Sequence, residues 1–310
     1  MAERRHSHQT AVLQALLVTF LWSTSFVLVK IGLGELPPFL FAGLRYILAF
    51  LCLVPFALRP AHRDFIRTLS THDWRRLIVL GFLFYAVTQG SAFFGLKYLP
   101  SAAVSLLLNF TTIIVAMLGA LWLAERPAVH QWIGVLVNIA GAVVYFYPVS
   151  FTIQQAAGLI AVAIGVLANA GSSLLGRRIN REGRIPSIVV TTISMGVGAV
   201  VLLVAGFMTE RLPRLELLHW GILAWLAVVN TALAFTLWNR TLRVLPAVES
   251  SIINNTMLVQ VAVLSWLFLD ESLGWREILG IVLAGLGALL VQIRRPVGSP
   301  EASGVSGDAP

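Results

Sequence analysis

Three ionisable side chains lie inside long apolar stretches of this sequence, and their chemistry needs explanation first. They are Lys30, Arg45 and Glu249. A charge inside an apolar segment is costly unless it is paired or faces water, so such positions are often functional. Lys30 predicts either a cation that attracts a carboxylate or gates an opening, or an anchor whose ammonium reaches nearby water. Arg45 predicts a pairing with a helix-end carbonyl or with an acid, in a structural or a functional role.

Three glutamates lie near the ends of apolar stretches. Glu249 stands one helical turn into its stretch, beside Ser250 and Ser251. Partial removal from water favours protonation of a carboxylate near neutral pH, which predicts a proton-coupling site. An acid in the first turn that complements the helix dipole is the alternative, and both interpretations stay open. Glu125 and Glu271 end their stretches and predict structural or gating roles instead of substrate binding.

Neutral polar and aromatic side chains recur near the middle of the same stretches. As a set, they predict the lining of a polar cavity that binds a small molecule. These candidate substrate-binding residues are Trp22, Ser25, Tyr85, Gln89, Asn109, Thr112, Asn169, Asn230, Asn254 and Asn255. Any one Asn, Ser or Thr can instead simply hydrogen-bond between helices, a contact worth about 0.6 kcal/mol on average. Trp22 is either core packing or a stacking surface for the bound molecule.

The composition indicates the class of protein in which these residues lie. Of the 310 residues, 58% are hydrophobic and 12% charged, with a mean hydropathy of +0.85. Soluble domains carry about 25% charged residues. The net charge of +8 comes mainly from Lys and Arg between the apolar stretches, which predicts cytoplasmic loops and no nucleic-acid partner. The single Cys52 excludes an internal disulfide framework. The chain is therefore predicted to be a polytopic membrane protein within a lipid bilayer.

Ten apolar runs are long enough to cross a hydrocarbon core of about 30 Å as helices. The runs lack the alternation of membrane β-strands, so the predicted fold class is all-α. The runs lie at about 11–33, 38–58, 75–97, 100–124, 129–148, 155–178, 185–207, 217–243, 246–269 and 274–294. The polar positions then predict a central cavity lined by helices 1, 3, 4, 6, 8 and 9, with helices 5 and 10 packed outside.

The distribution of Lys and Arg predicts the orientation. With a cytoplasmic N-terminus, sixteen basic residues fall on the cytoplasmic side and four in the outer loops. That asymmetry predicts a multi-pass protein of the cell (inner) membrane with both termini in the cytoplasm. Residues 1–10 are then a cytoplasmic N-terminus, and the Pro-, Gly- and Ser-rich tail 295–310 is predicted to be disordered.

Most of the stretch from Leu96 to Ala142 is written twice, with a constant offset of 146 residues and no gap. The matching positions are Leu99-Pro100 and Leu245-Pro246, Asn109 and Asn255, Glu125 and Glu271, Gly134 and Gly280, and Gly141 and Gly287. The two units predicted are 11–148 and 155–294. Because five helices is an odd number, the second unit enters the membrane from the opposite side. Inverted repeats of this kind are typical of secondary transporters, although duplication can also merely build a larger bundle.

The order of these marks resembles the drug/metabolite transporter superfamily, in particular its ten-helix proteins with two EamA-type repeats. The residues that carry the resemblance are Trp22-x-x-x-Phe26-x-x-x-Lys30, Arg45, Leu99-Pro100, Glu125, Gly134 and Gly141, and the last four of these marks recur in the second half. The resemblance implies a transporter with a central cavity. Many relatives carry a proline in the polar part of helices 4 and 9, where this chain has Asn109-Phe110-Thr111-Thr112 and Asn254-Asn255-Thr256-Met257. The second half has no match to the Trp22-to-Lys30 pattern.

The function predicted is secondary transport of small organic metabolites by alternating access. Efflux of amino acids or related amphiphilic compounds is an analogy from the family, and protons are favoured over sodium as a coupling ion. The alternatives are an intramembrane enzyme acting on a lipid-linked substrate, and a passive channel or scaffold. The sequence shows no catalytic constellation, zinc-ligand spacing or P-loop, so we expect no enzyme activity, cofactor or metal. A monomer and a homodimer are both compatible with the sequence.

Overall fold

The computed structural model describes residues 2–122, 128–148, 151–241, 244–245 and 247–292. Within these residues the regular structure is helical. The ten long helices are α1 (Ala2–Gly32), α2 (Pro38–Ala57), α3 (Thr71–Tyr98), α4 (Ser101–Trp122), α5 (Val129–Phe146), α6 (Ile153–Glu182), α7 (Ser187–Thr209), α8 (217–241), α9 (Ala247–Phe268) and α10 (Trp275–Gln292). A short helix, Pro60–Arg67, follows α2. The predicted all-α class is confirmed, and α1 already begins at Ala2, ahead of the predicted span.

Most of these helices are long and apolar enough to cross a membrane. In the described part of the chain nine meet that criterion, and the described apolar part of α9, Ile252–Phe268, is shorter. The protein is therefore an all-helical polytopic membrane protein.

Two helices contain a π-helical stretch near their middle, which the sequence did not predict. In α3 it covers Gly81–Thr88, and in α8 it covers Val228–Leu233. The two stretches lie at equivalent places in the two halves of the chain. In each, a threonine hydroxyl donates to the carbonyl five residues earlier, Thr88 to Leu83 and Thr231 to Leu226, both at 2.8 Å. Short π-helical segments are frequent at functional sites because they re-aim the side chains that follow.

The reciprocal contacts of α5 and α10 relate the two halves by a two-fold axis that runs across the long axes of these helices. Helices α5 and α10 cross antiparallel, and a Cβ atom added to Gly134 would lie 2.7 Å from the carbonyl oxygen of Gly287. A Cβ added to Gly280 would lie 2.7 Å from the carbonyl oxygen of Gly141. Because Gly134 corresponds to Gly280, and Gly141 to Gly287, the contact is reciprocal. A reciprocal antiparallel contact requires repeats of opposite orientation, which is the inversion that the odd helix count predicted.

The contacts divide the bundle into two groups of three helices, each taken from both repeats. Helices α1, α8 and α9 pack together, here called the α1 group, and α3, α4 and α6 form the α6 group. The two-fold axis exchanges these groups. The tightly packed pairs α2/α7 and α5/α10 join them on either side. The groups therefore face each other across the centre of the bundle.

Capping interactions fix the two ends of the bundle. Ser70 and Asp73 form a capping box at the start of α3, and the equivalent Glu216 and His219 form one at the start of α8. At the start of α2, the carboxylate of Glu210 accepts the backbone N–H groups of Phe39 and Leu40, at 3.1 and 2.8 Å. These side chains accept N–H groups that a helix start leaves unpaired. We call the end where α1 and α3 finish the Lys30 end, and the opposite end the Arg76 end.

Candidate functional site

Three asparagines meet at the centre of the bundle. The side-chain amide of Asn138 in α5 donates to the carbonyl oxygen of Ala284 in α10 at 2.7 Å, and to Oδ1 of Asn109 at 3.3 Å. Asn109 in α4 in turn donates to Oδ1 of Asn255 in α9 at 3.4 Å. Asn138 is fully buried. The cluster thus joins the α1 group, the α6 group and the α5/α10 pair on the two-fold axis.

Inside each group, polar side chains tie the helices together. In the α1 group, the hydroxyl of Ser23 donates to Oε1 of Gln260 at 3.0 Å. In the α6 group, the amide of Asn169 donates to Oγ1 of Thr111 at 3.2 Å. Ser23 and Asn169 occupy equivalent positions in the two repeats, and each is bonded to a residue of the corresponding helix, α9 or α4. Asn230 belongs to the same class, since its amide donates to the carbonyl of Leu21 and the hydroxyl of Thr24 in α1.

Three of the predicted cavity residues have no such partner. Gln89 in α3, Thr112 in α4 and Asn254 in α9 are half-buried, and their side chains form no hydrogen bond with another described residue. A polar side chain at this depth in a membrane protein faces the protein interior or water, not lipid. Their amide and hydroxyl groups are therefore available to a bound molecule, while the lining of a cavity by helices 1, 3, 4, 6, 8 and 9 stays a prediction.

An aromatic surface crosses from one group to the other. The ring of Trp22 lies 5.3 Å from those of Phe235 and Trp238 in α8, and Phe235 lies 6.4 Å from Phe84 in α3. Phe84 contacts Tyr85 at 4.8 Å. We call these five residues the aromatic wall. Trp22, Phe84, Phe235 and Trp238 are half-buried, so the wall combines core packing with a free face. The two roles considered for Trp22 are compatible in this arrangement.

Arg45 in α2 lies beside this surface. Its Nε donates to Oγ1 of Thr231 at 3.2 Å, and its Nη1 donates to Oγ of Ser25 at 2.8 Å. The guanidinium carbon lies 5.4 Å from the ring centre of Tyr46 and 5.9 Å from that of Phe93. Within the described residues its partners are hydroxyls, not the helix-end carbonyl or acid that the sequence suggested. A charged side chain at mid-membrane costs about 3 kcal/mol, and no described carboxylate neutralises this one.

The Lys30 end is closed by contacts between the two groups. The ammonium of Lys30 in α1 donates to the carbonyls of Leu96 and Leu99 at the end of α3, at 2.7 and 2.5 Å. The carboxylate of Glu271, beyond α9, accepts the backbone N–H of Ser101 through both oxygens, at 2.8 and 2.9 Å. Lys30 therefore has the helix-end carbonyls as partners, and Glu271 caps the start of α4. Both bonds join the α1 group to the α6 group.

At the Arg76 end, an ion-pair cluster joins α3 to α6. Arg76 donates to both carboxylate oxygens of Glu182, at 2.8 and 2.7 Å, and Arg184 donates to the same carboxylate at 2.8 Å. The hydrogen bonds from Arg76 and then from Arg184 lower the pKa of Glu182 to about 2. Glu125 and the side chain of Glu249 lie outside the described residues, so their predicted gating and coupling roles stay predictions.

The sequence analysis did not single out Asn138 or three residues of the aromatic wall, Phe84, Phe235 and Trp238, which the structure places in the site. Asn138 was assigned to an outer helix, although it stands between Gly134 and Gly141, whose repeat in α10 already marked a close crossing. Phe84, Phe235 and Trp238 lie in apolar runs, and no sequence signal distinguishes them from lipid-facing aromatic residues. Among the described residues, no three His, Cys, Asp or Glu side chains lie close enough to hold a metal ion.

Comparison with known proteins gives the family. The model of the EamA-like transporter family matches residues 9–147 and again residues 154–293. The uncharacterized transporter YvbV of Bacillus subtilis is 32% identical over 232 residues, which cover 73% of this chain and 70% of YvbV. A probable amino-acid metabolite efflux pump of Escherichia coli is 26% identical over 88% of this chain and 91% of its own.

A solved crystal structure shares the fold. It superimposes with a TM-score of 0.67 at 20% identity and covers 91% of this chain and 97% of that chain.

The family model that matches both halves describes transporters. A small-molecule substrate and a membrane location therefore follow, and the alternative of an intramembrane enzyme is excluded. The two family matches coincide with the two halves that the two-fold axis relates, and the chain belongs to the EamA-like transporter family, with two EamA domains.

Proposed function

We propose that the protein is a secondary carrier that moves small organic metabolites by alternating access. The observation that carries the proposal is the exchange of the α1 group and the α6 group by one two-fold axis through a polar centre. Two halves of the same fold and opposite orientation have two arrangements of similar energy, one open to each side. A passive channel needs no such exchange of groups.

The contacts indicate what moves. In the closed arrangement at the Lys30 end, Lys30 and Glu271 hold the two groups together. Release of these bonds lets the groups separate at that end while they approach at the other. The pairs α2/α7 and α5/α10 each contain one helix of each repeat, so both can act as pivots. The asparagine cluster lies on the axis itself and is displaced least by the motion.

We place the Arg76 end in the cytoplasm and both termini with it. This orientation is supported by the excess of Lys and Arg in the loops at that end, including Arg63, Arg67 and Arg184. The protein is then a multi-pass protein of the cell (inner) membrane. Glu249, at the same end, is the proposed proton-coupling residue.

For the substrate, we propose amino acids or related amphiphilic metabolites, moved outward. The proposal is supported by the names of relatives in Escherichia coli and Salmonella typhimurium, each a probable amino-acid metabolite efflux pump. It also agrees with a cavity that combines amide and hydroxyl groups with an aromatic wall.

Counterflow in proteoliposomes tests the carrier mechanism. A thermal-shift screen of the purified protein against amino acids, polyamines, nucleosides and organic acids first selects a ligand, because binding to the folded state raises its stability. Proteoliposomes loaded with the unlabelled ligand should then accumulate the labelled ligand transiently above equilibrium. Protein-free liposomes are the control. Equilibration without such an overshoot contradicts a carrier and favours a channel.

A further inference from the structure

Arg45 is a buried cation without a buried anion. Its exposed fraction is 6%, and it forms no ion pair with any carboxylate that the structure describes. A guanidinium carries five N–H groups. The bonds to Thr231 and Ser25 use one on Nε and one on Nη1. The remaining N–H groups, including both on Nη2, have no hydrogen-bond partner in the described part of the chain.

The free N–H groups match a carboxylate. Guanidinium and carboxylate groups pair through two parallel hydrogen bonds, and arginine is preferred wherever an anionic planar group is recognised. The bonds to Ser25 in α1 and Thr231 in α8 hold opposite edges of the guanidinium and so fix its plane, which leaves N–H groups of Nη1 and Nη2 at its end for an anion. The charge is therefore oriented before any anion arrives, and that lowers the cost of binding.

The repeated architecture does not require this arginine. The equivalent position in the second repeat is Thr191, a neutral residue. Tyr46 is replaced there by Thr192. A residue that served only to pack α2 against its neighbours would be expected to have a counterpart of similar chemistry. The charge of Arg45 instead makes the two sides of the cavity chemically different. Such a difference suits the recognition of a molecule that has one charged end.

The aromatic wall lies next to Arg45 and is connected to it through Tyr46. Tyr46, which contacts the guanidinium, lies 5.3 Å from Tyr85, the first residue of the wall. From Tyr85 the rings continue through Phe84 and Phe235 to Trp22. A carboxylate held at Arg45 would therefore place the rest of its molecule against aromatic faces.

We propose that Arg45 binds the carboxylate of the transported compound and that the aromatic wall contacts its apolar part, so that the substrates are carboxylates with an aromatic or large apolar group. This proposal rests on the proposed carrier function and names the class of its substrate.

Paired probes that differ only at the carboxylate test the proposal. The probes are phenylalanine and phenylalaninamide, and 3-phenylpropionate and phenethylamine. Binding to the purified full-length protein is measured by thermal shift and by quenching of tryptophan fluorescence. We expect phenylalanine and 3-phenylpropionate to bind at least tenfold more tightly than the probe without a carboxylate in each pair. Equal binding within the pairs, or no binding of either carboxylate, overturns the proposal.

Variants of Arg45 connect the preference to the residue. Arg45→Gln should abolish the preference for carboxylates, and Arg45→Lys, which keeps the charge, should retain part of it. Arg59→Gln removes an exposed charge just beyond the end of α2 and should behave like the unmodified protein. If Arg45→Gln does not fold, Ser25→Ala, which removes the acceptor of Nη1, should still weaken carboxylate binding severalfold. An unchanged preference in Arg45→Gln, or in Ser25→Ala if only that variant folds, overturns the proposal.

The carrier function can survive that failure. Counterflow of a compound without a carboxylate, such as phenethylamine, would show a working carrier in which Arg45 does not select the substrate. Loss of counterflow for every compound that binds would instead contradict the carrier and leave the binding role of Arg45 intact.

Discussion

Asn109 and Asn255 occupy the same position in the two repeats, 146 residues apart, and their side chains are hydrogen-bonded to each other. Two equivalent residues can touch only where the symmetry axis passes between them. Asn138 and Ala284 are a second pair of this kind, with the same separation and a hydrogen bond of 2.7 Å. The axis is thus marked by polar contacts inside the membrane, where each such bond also needs shielding from lipid.

The antiparallel crossing of α5 and α10 should be intolerant of any side chain at its glycines. A Cβ at Gly287 would lie 2.5 Å from the backbone nitrogen of Asn138 and from the carbonyl oxygen of Gly134, and neither backbone can yield. We expect Gly287→Ala to lower the melting temperature of the purified protein by several degrees. Gly285→Ala on the same helix is the control, because its Cβ would meet only Leu258 at 3.9 Å. Equal melting temperatures for the two variants would contradict this packing.

Removing the carboxylate of Glu271 should open the Lys30 end. Ser101, whose N–H this carboxylate accepts, is fully buried. In a Cys52→Ser background, Ser101→Cys should react slowly with a membrane-impermeant maleimide. Adding Glu271→Ala should raise that rate at least tenfold, because the cap that holds α4 to the end of α9 is lost.

Two further variants sharpen this test. Glu271→Gln keeps an acceptor oxygen and should give an intermediate rate. Glu277→Ala removes a carboxylate from the first turn of α10 at the same end and should leave the rate unchanged. An unchanged rate in Glu271→Ala would show that this bond does not close the bundle.

The ion-pair cluster at the Arg76 end should respond to pH only in strong acid. Arg76 and Arg184 lower the pKa of Glu182 to about 2, whereas an unperturbed glutamate has a pKa of about 4.3. The stabilisation is therefore complete above the unperturbed pKa and is lost as the pH falls toward the folded one. We expect the difference in melting temperature between the unmodified protein and Glu182→Gln to be constant from neutral pH down to the ordinary glutamate range and to shrink only below it.

Salt and a matched acid provide the controls for this cluster. Glu182 is exposed on the surface, so high ionic strength should reduce the difference in melting temperature between the unmodified protein and Glu182→Gln. Asp64→Asn changes an exposed acid on the short helix Pro60–Arg67 and should have little effect at any pH. A difference between the unmodified protein and Glu182→Gln that already disappears at mildly acidic pH would contradict the pairing.

The fold was largely predictable because hydropathy and the repeat act over many residues. Long apolar runs with few charges predicted ten helices, and the constant offset between Asn109 and Asn255 predicted how the two halves correspond. The site was less predictable, because its geometry depends on which faces of the helices pack against each other. Nothing local in Val228–Leu233 indicates a π-helical turn, yet that turn directs Thr231 to Arg45. Lys30 and Arg45 are both single basic residues within apolar runs. Only the tertiary contacts show that Lys30 is bonded to helix-end carbonyls, whereas Arg45 has no described carboxylate as a partner.

Thr231 should influence substrate binding through Arg45. Its hydroxyl accepts the Nε–H of Arg45 at 3.2 Å, and valine at this position keeps the shape but removes the acceptor. We expect Thr231→Val to weaken binding of 3-phenylpropionate about fivefold, equivalent to about 1 kcal/mol, with binding of phenethylamine unchanged. Thr231→Ser should restore the affinity, because it restores the hydroxyl.

The same exchange at Thr236 is the control, since its exposed hydroxyl donates only to the carbonyl of Ala232 in its own helix. Thr236→Val should leave the binding of both probes unchanged. If Thr231→Val weakened both probes equally, the residue would act on the shape of the cavity and not on the orientation of the guanidinium. A selective loss for the carboxylate is expected only where the hydroxyl holds Arg45 in place to receive it.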